Sequence, residues 1–519
     1  MLRITNFRAG LDDGNAEIEN RLKKLLGISD FSFKIARRAI DARKKSDVHY
    51  VLSIDITTNN ESVLLKKNIP NLSKAMDKLY SFPEAKPHGK RPLIVGMGPA
   101  GLFCALYLSR AGFRPIVVER GADVDSRTKA VESYWSGGDL DENTNVQFGE
   151  GGAGTFSDGK LNTGTKDIRI FAVLSEFVKF GAKDDILINN KPHIGTDILR
   201  TVVKNMRNEI IKNGGEVRFL TRLCDIKTEN NRVVGAILES SDGQYELETD
   251  KIVLAIGHSA RDTFQMLKDI GVKMEQKPFS IGVRIEHTQE FISNAMYGDA
   301  AKKLPPADYK LAVHLGNGRS LYTFCMCPGG YVVASASEKN TIVTNGMSYS
   351  DRSGKNANSA ILVNVTPDDF GSDDALAGMY LQREIEKQAF IAGKGKAPCE
   401  TVASFLGKTD INKSTSVLPT YKPGVSFTRL DDVLPAFIAD SMREGLLLMD
   451  KKIQGFASDD ALLTAPETRS SSPVRLVRDE NLELSVKGLF TAGEGGGHAG
   501  GITSSAVDGI KAAEAVIRK

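Results

Sequence analysis

The sequence predicts an α/β fold built on a parallel sheet, preceded by a small α+β unit and interrupted by a mainly antiparallel β unit. Three observations predict it. From Arg91 an apolar strand, a glycine turn, a helix and a second apolar strand follow within about thirty residues, which is one βαβ unit. Residues 1–88 carry strand and helix patterns of their own and end in the linker-like run SFPEAKPHGKRP. Strand-like runs such as SIGVRIEH, YVVASAS and ILVNV fall between residues 276 and 469.

Length and composition narrow the class of protein. A chain of 519 residues is too long for one core and predicts about three domains. Its 41% hydrophobic and 26% charged residues are typical of globular proteins, and a net charge of +3 does not indicate a general nucleic-acid binder. The five cysteines do not indicate a disulfide framework, so a reducing, cytoplasmic setting is expected.

Neither a signal peptide nor a membrane span is expected. The start, MLRITNFRAG, lacks the apolar segment of a signal peptide. The most apolar stretch, residues 93–108, is shorter than the ~20 residues of a membrane span and is broken by glycine and proline. We therefore expect no membrane partner.

The first unit, residues 1–88, is predicted from a strand at LRITNF, a helix over residues 16–26 and a strand over residues 48–57. Its middle part is basic. The solvated face of a helix, or a surface for a partner, is the favoured interpretation over an RNA- or phosphate-binding patch. The basic residues are Lys23, Lys24, Lys34, Arg37, Arg38, Arg43, Lys44 and Lys45.

The glycine turn after Arg91 has the spacing of a dinucleotide-binding motif. In RPLIVGMGPAGLFCALYLSRAGFRPIVVERG, Gly96 permits the tight turn, Gly98 lets the backbone approach a pyrophosphate, and Gly101 allows close packing of helix on strand. Glu119 ends the next strand, where its carboxylate accepts hydrogen bonds from ribose hydroxyls. The residues predicted to bind the dinucleotide here are Gly96, Gly98, Pro99, Ala100, Gly101, Glu119 and Arg120.

A second glycine cluster, GEGGAG at residues 149–154, has the same spacing but a different context. No buried strand precedes it, and TFSDGK cannot begin an apolar helix. We interpret it as a loop that approaches a ligand. Farther along, DKIVLAIGHS is a buried strand ending at Gly257, and GLFTAGEGGG is a short strand ending at Gly493 and Glu494. A helix with a small-residue face is predicted to begin near Ile502.

Together these segments resemble the FAD-binding superfamily of the glutathione reductase type. More closely, the chain is similar to a group of bacterial uncharacterised FAD-dependent (NAD/FAD-utilising) dehydrogenases. The resemblance covers nearly the whole chain and implies an FAD-binding Rossmann-like three-layer domain with an inserted, mainly antiparallel β cap. It rests on VQFGEGGAGTFSDGKLNT, KPFSIGVRIEH, TFCMCPGGYVV, NGMSYSDRSGKNANSAILV, ETRSSSPVR and GEGGGHAGGITSSAVDG.

The resemblance also implies domain boundaries. An N-terminal α+β domain covers residues 1–88. The FAD-binding domain is discontinuous, and a cap or substrate domain fills the gaps between its parts. The FAD-binding parts are residues 89–166, 192–275 and 470–519, and the cap parts are residues 167–191 and 276–469.

Site residues follow from the resemblance. The first glycine turn and Glu119 hold the ADP half of FAD, and the backbone at Leu223 meets the adenine. Glu494 accepts from ribityl hydroxyls, and the helix near Ile502 points at the flavin pyrimidine edge. The loop after residue 149 wraps the isoalloxazine. The further residues implied are Gly149, Gly151, Gly152, Ser157, Lys160, Ala255, Ile256, Gly257, Gly493, Gly501 and Thr503.

Other candidate residues have two interpretations each. Cys325 and Cys327 lie two apart on a predicted strand and so face one side, and two small buried residues are favoured over a redox pair. Lys160 and Arg284 either bind an anionic substrate or pair with carboxylates. His258, His287 and His498 occur in glycine-rich or strand-end contexts, where a structural role is the commoner one. No metal-ligand spacing is present, and no catalytic residue is assigned.

The predicted function is that of a flavoprotein oxidoreductase, a dehydrogenase or reductase that uses FAD and acts on a small organic substrate. Because no second strand–turn–helix unit occurs, NAD(P)H as an electron donor would dock transiently over the flavin. Two alternatives stay open. One is an RNA-directed flavoprotein that uses the basic N-terminal domain, although a nucleic-acid partner is less favoured. The other is a non-catalytic protein that binds FAD.

Overall fold

The computed structural model of the protein describes residues 1–76, 79–411 and 415–519. The first unit consists of β1 (Leu2–Ala9), α1 (Asn15–Leu26), β2 (Ser32–Asp41), β3 (His49–Thr57), α2 (Glu61–Lys66) and β4 (Leu72–Lys74). The strands form an antiparallel sheet in the order β2-β3-β1-β4. Helix α1 covers it with Ile18, Leu22 and Leu26, which share one helical face and are buried. The two strands and the helix predicted within this unit are confirmed as β1, β3 and α1.

The basic stretch of the first unit differs from the prediction. Lys34, Arg37 and Arg38 lie on β2, an edge strand, so the predicted helical face is wrong for them. The Arg37 Nε donates to Asn190 Oδ1 at 3.0 Å, and the Arg38 amide donates to the Ile188 carbonyl at 2.8 Å. Part of the basic surface is therefore an internal contact with the rest of the chain.

The segment that follows the first unit is not an open linker. The Tyr80 hydroxyl donates to Glu514 Oε1 at 2.7 Å. The Phe82 ring lies 5.1 Å from the Tyr107 ring, centroid to centroid. These contacts attach residues 80–85 to two helices of the next unit, so this run of chain belongs physically to that unit.

The second unit contains the predicted parallel sheet. Its first elements are β5 (Leu93–Val95), α3 (Pro99–Arg110), β6 (Ile116–Val118), α4 (Val124–Trp135), α5 (Arg169–Lys179), α6 (Thr196–Lys212), β7 (Glu216–Arg218), β8 (Arg222–Glu229), β9 (Arg232–Ser240), β10 (Gly243–Glu248), β11 (Ile252–Leu254), α7 (Arg261–Asp269) and β12 (Met274–Gln276). Its last three are β22 (Val474–Leu476), β23 (Leu489–Thr491) and α12 (Ile502–Arg518). All neighbours in the sheet β23-β11-β5-β6-β7 are parallel.

This unit has three layers because its short strands are buried on both faces. In β5, Ile94 packs into the core that holds α3, α5, α6 and α12, while Leu93 and Val95 pack into a second core. The second core is completed by α7 and the antiparallel sheet β10-β9-β8. Strands that are buried on both faces have continuous apolar sequences. This is the pattern of β5 (LIV), β6 (IVV) and β11 (IVL).

Residues 167–191 pack differently from the prediction, which placed them in the inserted unit. Helix α5 lies against α12, and Val173 and Phe177 are buried in the core with α3. The Arg169 guanidinium binds Glu514 of α12, with Nε donating to Oε1 at 2.7 Å. The physical reason is the strongly one-sided apolar face of α5, which is covered by the helices of the second unit.

The inserted unit is a seven-stranded sheet in the order β14-β15-β18-β13-β21-β19-β20, antiparallel except between β19 and β20. A two-stranded sheet, β16-β17, and four helices pack with it. The bounds are β13 (Phe279–Thr288), α8 (Gln289–Tyr297), β14 (Ala312–His314), β15 (Ser320–Cys327), β16 (Tyr331–Ala334), β17 (Thr344–Met347), β18 (Asn356–Val365), α9 (Ala377–Ala392), β19 (Ala397–Thr401), α10 (Val402–Phe405), β20 (Val425–Phe427), α11 (Ala436–Asp450) and β21 (Leu462–Glu467). None of the helices in the described part of the chain is both long and apolar enough to span a membrane.

One buried carboxylate joins the second unit to the inserted one. Glu386 of α9 is fully buried and accepts from Arg261 of α7 and from Arg469, each through two hydrogen bonds of 2.9 Å. Burial alone raises the pKa of a carboxyl, but the two guanidinium charges prevail and lower the pKa of Glu386 to about 2.

We expect Glu386→Gln to lower the free energy of unfolding on the order of 3–5 kcal/mol, because the buried Arg469 loses its counter-charge and the buried Arg261 keeps only Glu338. Urea-induced unfolding measures the change. The matched control is Glu384→Gln, an exposed position on the same helix. Because the folded pKa of Glu386 is lowered, its contribution is complete above pH 4.5 and is lost as the pH falls towards about 2. Equal effects of the two substitutions would contradict this role.

We expect a chain that starts at residue 79 to melt at a higher temperature than one that starts at residue 90. The shorter chain lacks the Tyr80 hydrogen bond and the Phe82 packing, a loss on the order of 1–3 kcal/mol. Thermal unfolding of both purified chains tests this. Identical melting temperatures would show that residues 80–85 contribute nothing to the second unit.

Candidate cofactor and substrate site

A cavity of about 380 Å³ lies between the second unit and the inserted unit. The residues directly after β5, β6, β11 and β23 line it, so it sits outside the carboxyl ends of the parallel strands. Ligands of open α/β sheets bind at this position, and small-molecule sites typically measure ~300–1,000 Å³.

The first glycine turn packs as predicted. A Cβ at Gly96, whose φ is +98°, would lie 2.4 Å from the Ala255 carbonyl oxygen. A Cβ at Gly101 would lie 1.9 Å from the Gly96 carbonyl oxygen, so α3 approaches β5 without a side chain between them. Gly101 therefore holds the turn and does not line the cavity, whereas Gly96 does both.

Gly98 has a different reason to be glycine. Its φ of −72° and ψ of −176° suit any residue, and the nearest atom to a Cβ there would be Gly152 Cα, at 3.8 Å. Gly98 is the N-cap of α3, and Pro99 and Ala100 of the first turn line the cavity with it. The backbone N–H groups of a first helical turn have no partner within the helix and attract anions.

Glu119 connects the two glycine loops. Its Oε2 accepts from the Met97 amide at 2.8 Å, and its Oε1 accepts from the amides of Gly121 at 3.0 Å and Gly149 at 2.9 Å. A carboxylate has about four acceptor sites, so one stays available on the cavity side. Arg120 also lines the cavity, and its guanidinium lies 4.4 Å from the Phe148 ring centroid.

The loop from residue 149 lies against the first glycine turn, and no strand precedes it. Gly152, with φ +63°, comes so close that a Cβ there would be 2.9 Å from Gly98 Cα. The Gly151 amide donates to the Met97 carbonyl at 2.8 Å. Of the three predicted glycines, only Gly152 lines the cavity, while Gly149 and Gly151 fix the loop behind it.

Arg127 holds this loop in place through its side chain, a role that its sequence context does not indicate. Its side chain is fully buried and donates to the carbonyls of Asn145, Val146, Gly149 and Glu150 at 2.6 to 3.2 Å. Burial lowers the pKa of Arg127 to about 10. An arginine on a helix carries no sequence signal for such a contact, because its partners are backbone groups some twenty residues away.

The end of the same loop faces the cavity with Ser157 and Lys160. The Ser157 hydroxyl donates to the Gly154 carbonyl at 2.7 Å and accepts from the Gly159 amide at 3.1 Å, so its hydrogen bonds shape the loop. The Lys160 Nζ lies 3.9 Å from Asp158 Oδ2. Asp158 binds Arg352 at 2.7 Å, so the lysine shares its carboxylate with a closer cation.

Another part of the cavity wall is formed by residues of β8 and by residues directly after β11. Leu223 is buried and lines the cavity, as do Ala255, Ile256 and Gly257. His258 comes next, and its Nδ1 lies 3.3 Å from Glu494 Oε1. His258 is the only one of the three candidate histidines that lines the cavity, within the described residues.

The C-terminal segment completes the cofactor side. Gly493 has φ +81°, and its amide donates to Asp508 Oδ2 at 2.8 Å. Gly501 is the N-cap of α12, and Ile502 begins the helix at the cavity wall, as predicted. Thr503 points away, because its hydroxyl donates to the Leu161 carbonyl at 2.8 Å.

The inserted unit supplies the remaining wall, which the sequence analysis left unassigned apart from Cys325. It consists of Phe324, Cys325, Asn345 and Glu467, with Arg469 and Ser470 beside them. Phe324 is 43% exposed, an unusual fraction for a large apolar residue on a central sheet. An apolar ring beside several polar groups is typical of a small-molecule site.

Of the two roles considered for Arg284, binding an anionic substrate and pairing with a carboxylate, the structure shows the second. Its side chain is fully buried and binds Glu467, with Nε donating to Oε2 at 2.5 Å and Nη2 to Oε1 at 2.9 Å. Burial raises the pKa of Glu467 to about 7, although the arginine beside it favours the charged form. Glu467, not Arg284, is the member of this pair that faces the cavity.

Two of the candidate histidines are structural. The His287 ring is fully buried with Nε2 2.8 Å from the Phe456 carbonyl oxygen, and burial lowers its pKa to about 4. The His498 Nε2 lies 2.8 Å from the Leu476 carbonyl oxygen, and burial lowers its pKa as well. Across residues 1–76, 79–411 and 415–519, no group of three or more His, Cys, Asp or Glu residues is arranged to hold a metal ion.

Two known families match parts of the chain. Residues 278–470, which contain the inserted sheet, match the family described as FAD-dependent protein, C-terminal domain-like. Residues 1–57 match a domain of unknown function, and this range ends with β3 of the first unit.

Solved structures with similar folds include several flavoproteins. A triple mutant of the flavin-dependent brominase Bmp2 is 13% identical, with a TM-score of 0.37 over 83% of this chain and 80% of that one. A flavoprotein/dehydrogenase from Cytophaga hutchinsonii is also 13% identical, with a TM-score of 0.36 over 82% of this chain and 78% of that one. At these TM-scores neither likeness supports an argument about function.

A sequence relative is much closer. An uncharacterized protein of Clostridium beijerinckii is 45% identical over 537 residues, which cover 100% of this chain and 99% of the relative. Identity of this extent over both full lengths shows a common family. The chain therefore belongs to the family of this Clostridium beijerinckii protein, and its residues 278–470 are similar to the family described as FAD-dependent protein, C-terminal domain-like.

Proposed function

We propose that the protein is an FAD-dependent oxidoreductase that acts on a small organic substrate. The observation that carries the proposal is the continuity of the cavity. One end is lined by the dinucleotide-binding turn at Gly98, and the other by Phe324 and Asn345 of the inserted unit. A cofactor whose one half is bound at Gly98 would therefore place its other half beside Phe324, which is apolar, and Asn345, which is polar.

The residues at the first end fit the ADP half of FAD. Gly98 and Gly152 pack directly against each other and both line the cavity, so a pyrophosphate would lie over two backbones that carry no side chain. The free N–H groups at the start of α3 offer hydrogen bonds to its oxygens. Glu119 retains an acceptor site for a ribose hydroxyl, and Leu223 gives the adenine an apolar neighbour.

The residues toward the inserted unit fit the flavin half. When bound, FAD supplies two-electron transfer to or from the substrate. The first turn of α12, at Ile502, directs a helix N-terminus at the cavity, and a positive dipole end favours the negative charge of a reduced flavin. The ammonium group of Lys160 adds a positive charge at the same end. Glu494 lies where it can accept from the ribityl chain.

The substrate binds, in this proposal, between the flavin end and the inserted unit. Phe324 offers an exposed aromatic face, and Asn345 and Ser470 offer polar groups. Arg469 is held by Glu386 and donates to the Ser337 hydroxyl at 2.5 Å, so it shapes the wall more than it binds a ligand. The wall favours a compact molecule with an apolar part and hydrogen-bonding groups.

Replacing Gly98 with Val tests the cofactor site. The substitution suits the backbone dihedral angles, but the side chain would lie against Gly152, whose Cα is 3.8 Å from the position of a Cβ, and would cover the backbone proposed to contact the pyrophosphate. We expect the wild-type protein to be yellow and to release FAD, not FMN, on denaturation. The variant should bind FAD at least about tenfold more weakly, a change of about 1.4 kcal/mol.

Gly14→Val is the matched control for that substitution. Gly14 has extended backbone angles and is exposed, and a Cβ there would meet no other atom within 4 Å, so FAD content should stay at the wild-type level. Absorbance spectra and the FAD released per protein measure both variants. Full occupancy in Gly98→Val would show that the pyrophosphate does not pass there.

We expect NADH and NADPH to reduce the flavin slowly in the absence of substrate. The proposal includes NAD(P)H only as a transient electron donor, because the sequence contains no second dinucleotide-binding unit. Anaerobic stopped-flow measurements at the flavin absorbance band test this. Fast, saturable reduction by one nicotinamide at micromolar concentration would contradict it and indicate a dedicated nicotinamide site.

A further inference from the structure

The two cysteines at the end of β15 occupy different environments. The favoured sequence interpretation, two small buried residues, holds for Cys327, which has no exposed surface. It does not hold for Cys325, which is partly exposed and lines the cavity. The pairing of β15 with β18 shifts register between Phe324 and Cys327, so the strand alternation assumed for the pair is interrupted.

The backbone at Cys325 is strained. Its φ of +43° lies in the left-handed region, which a side chain with a Cβ rarely adopts. Irregularities of this kind redirect side chains and are common beside active sites. In a regular strand the side chains would continue to alternate between the two faces of the sheet. The left-handed conformation interrupts this alternation, and Cys325 lies at the cavity wall.

Buried hydrogen bonds hold this conformation in place. The Arg284 Nη1 donates to the Cys325 carbonyl at 2.8 Å, and Arg284 is itself fixed by Glu467. The Cys327 thiol donates to the same carbonyl at 3.2 Å, which places its sulfur next to the Cys325 backbone. The two thiols are therefore neighbours in space, with Cys327 on the inner side.

The charges around the pair favour a thiolate at Cys325. The pKa of Cys325 is lowered, first by the interaction with the neighbouring Cys327 side chain and then, against the cost of burial, by the positive charges of Arg284 and Lys160. The pKa of Cys327 is raised by the same interaction and by burial. Burial raises the pKa values of Cys104 and Cys399, and partial burial raises the pKa of Cys224.

The position of Cys325 relative to the cofactor site completes the observation. It shares a cavity with Lys160 and Ile502, the residues that the proposed function assigns to the flavin end. The thiolate is the reactive form of cysteine in electron and disulfide exchange. Cys325 therefore faces the place where, in the proposed function, electrons enter or leave FAD, and Cys327 lies buried behind it.

We propose that Cys325 and Cys327 form a redox-active dithiol that exchanges two electrons with the FAD of the proposed function. In one direction the Cys327 S–H bond is lost and one Sγ–Sγ bond forms with the Cys325 thiolate. Two electrons pass to the oxidised flavin, which takes up one proton, equal to the one that Cys327 releases. In the reverse direction reduced flavin returns two electrons and one proton, the Sγ–Sγ bond breaks, and the Cys325 thiolate and the Cys327 thiol form. The inference rests on the proposed function, since FAD is the electron acceptor or donor.

An anaerobic reductive titration of the FAD-containing protein tests the proposal. The protein is first oxidised with the thiol oxidant diamide, freed of reagent, and titrated with dithionite. Wild type should take up about four electrons per FAD, since flavin and disulfide are each two-electron couples. Cys325→Ser and Cys327→Ser should each take up about two. The matched control, Cys224→Ser, lies on β8 and should behave as wild type.

Mass spectrometry of alkylated protein gives a readout that does not depend on the flavin signal. After oxidation and denaturation, the wild-type peptide with both cysteines should resist alkylation and be lighter by two hydrogens. Uptake of about two electrons per FAD, together with full alkylation of both thiols, would overturn the dithiol and leave the proposed function intact. Protein that binds no FAD would overturn both.

Discussion

The carboxylate of Glu119 is the contact on which the cofactor side of the structure depends. By accepting from the amides of Met97, Gly121 and Gly149, it holds two glycine loops from distant parts of the chain at a fixed separation. With the loops held in this way, the backbones of Gly98 and Gly152 pack against each other at the cavity wall. The ribose-binding role that the sequence predicts for this residue would be additional to this structural one. Removing the carboxylate would release both loops, and would alter the site even before any ligand contact was lost.

The parts of the site that sequence could predict are those set by local rules. Gly96 and Gly101 are required by contacts within one strand–turn–helix unit, and their spacing alone indicates it. The two downstream segments also end in glycine directly after buried strands, so Gly257 and Gly493 were predictable. The parallel sheet and its alternating apolar faces follow from short runs of β-branched residues.

What could not be predicted depends on contacts between distant segments. Arg127 binds carbonyls of a loop whose course is set by tertiary packing, so nothing in its neighbours indicates that role. The unit to which helix α5 belongs is not predictable, because an apolar helical face does not specify which core covers it. The prediction for Cys325 assumes regular alternation, and a single register shift in β15 changes its environment. Each case is a long-range effect on a locally ordinary sequence.

The buried contact of Glu386 with Arg261 and Arg469 has a consequence for how ligands reach the cavity. A hinge rotation of the inserted unit would separate Arg261 from its carboxylate and leave unpaired charges in an apolar interior, at a large cost in free energy. The inserted unit therefore stays in place over the cavity and does not open by rotation. Small local movements at the cavity wall, such as rotation of the exposed Phe324 ring, then cost less free energy than a movement of the whole unit.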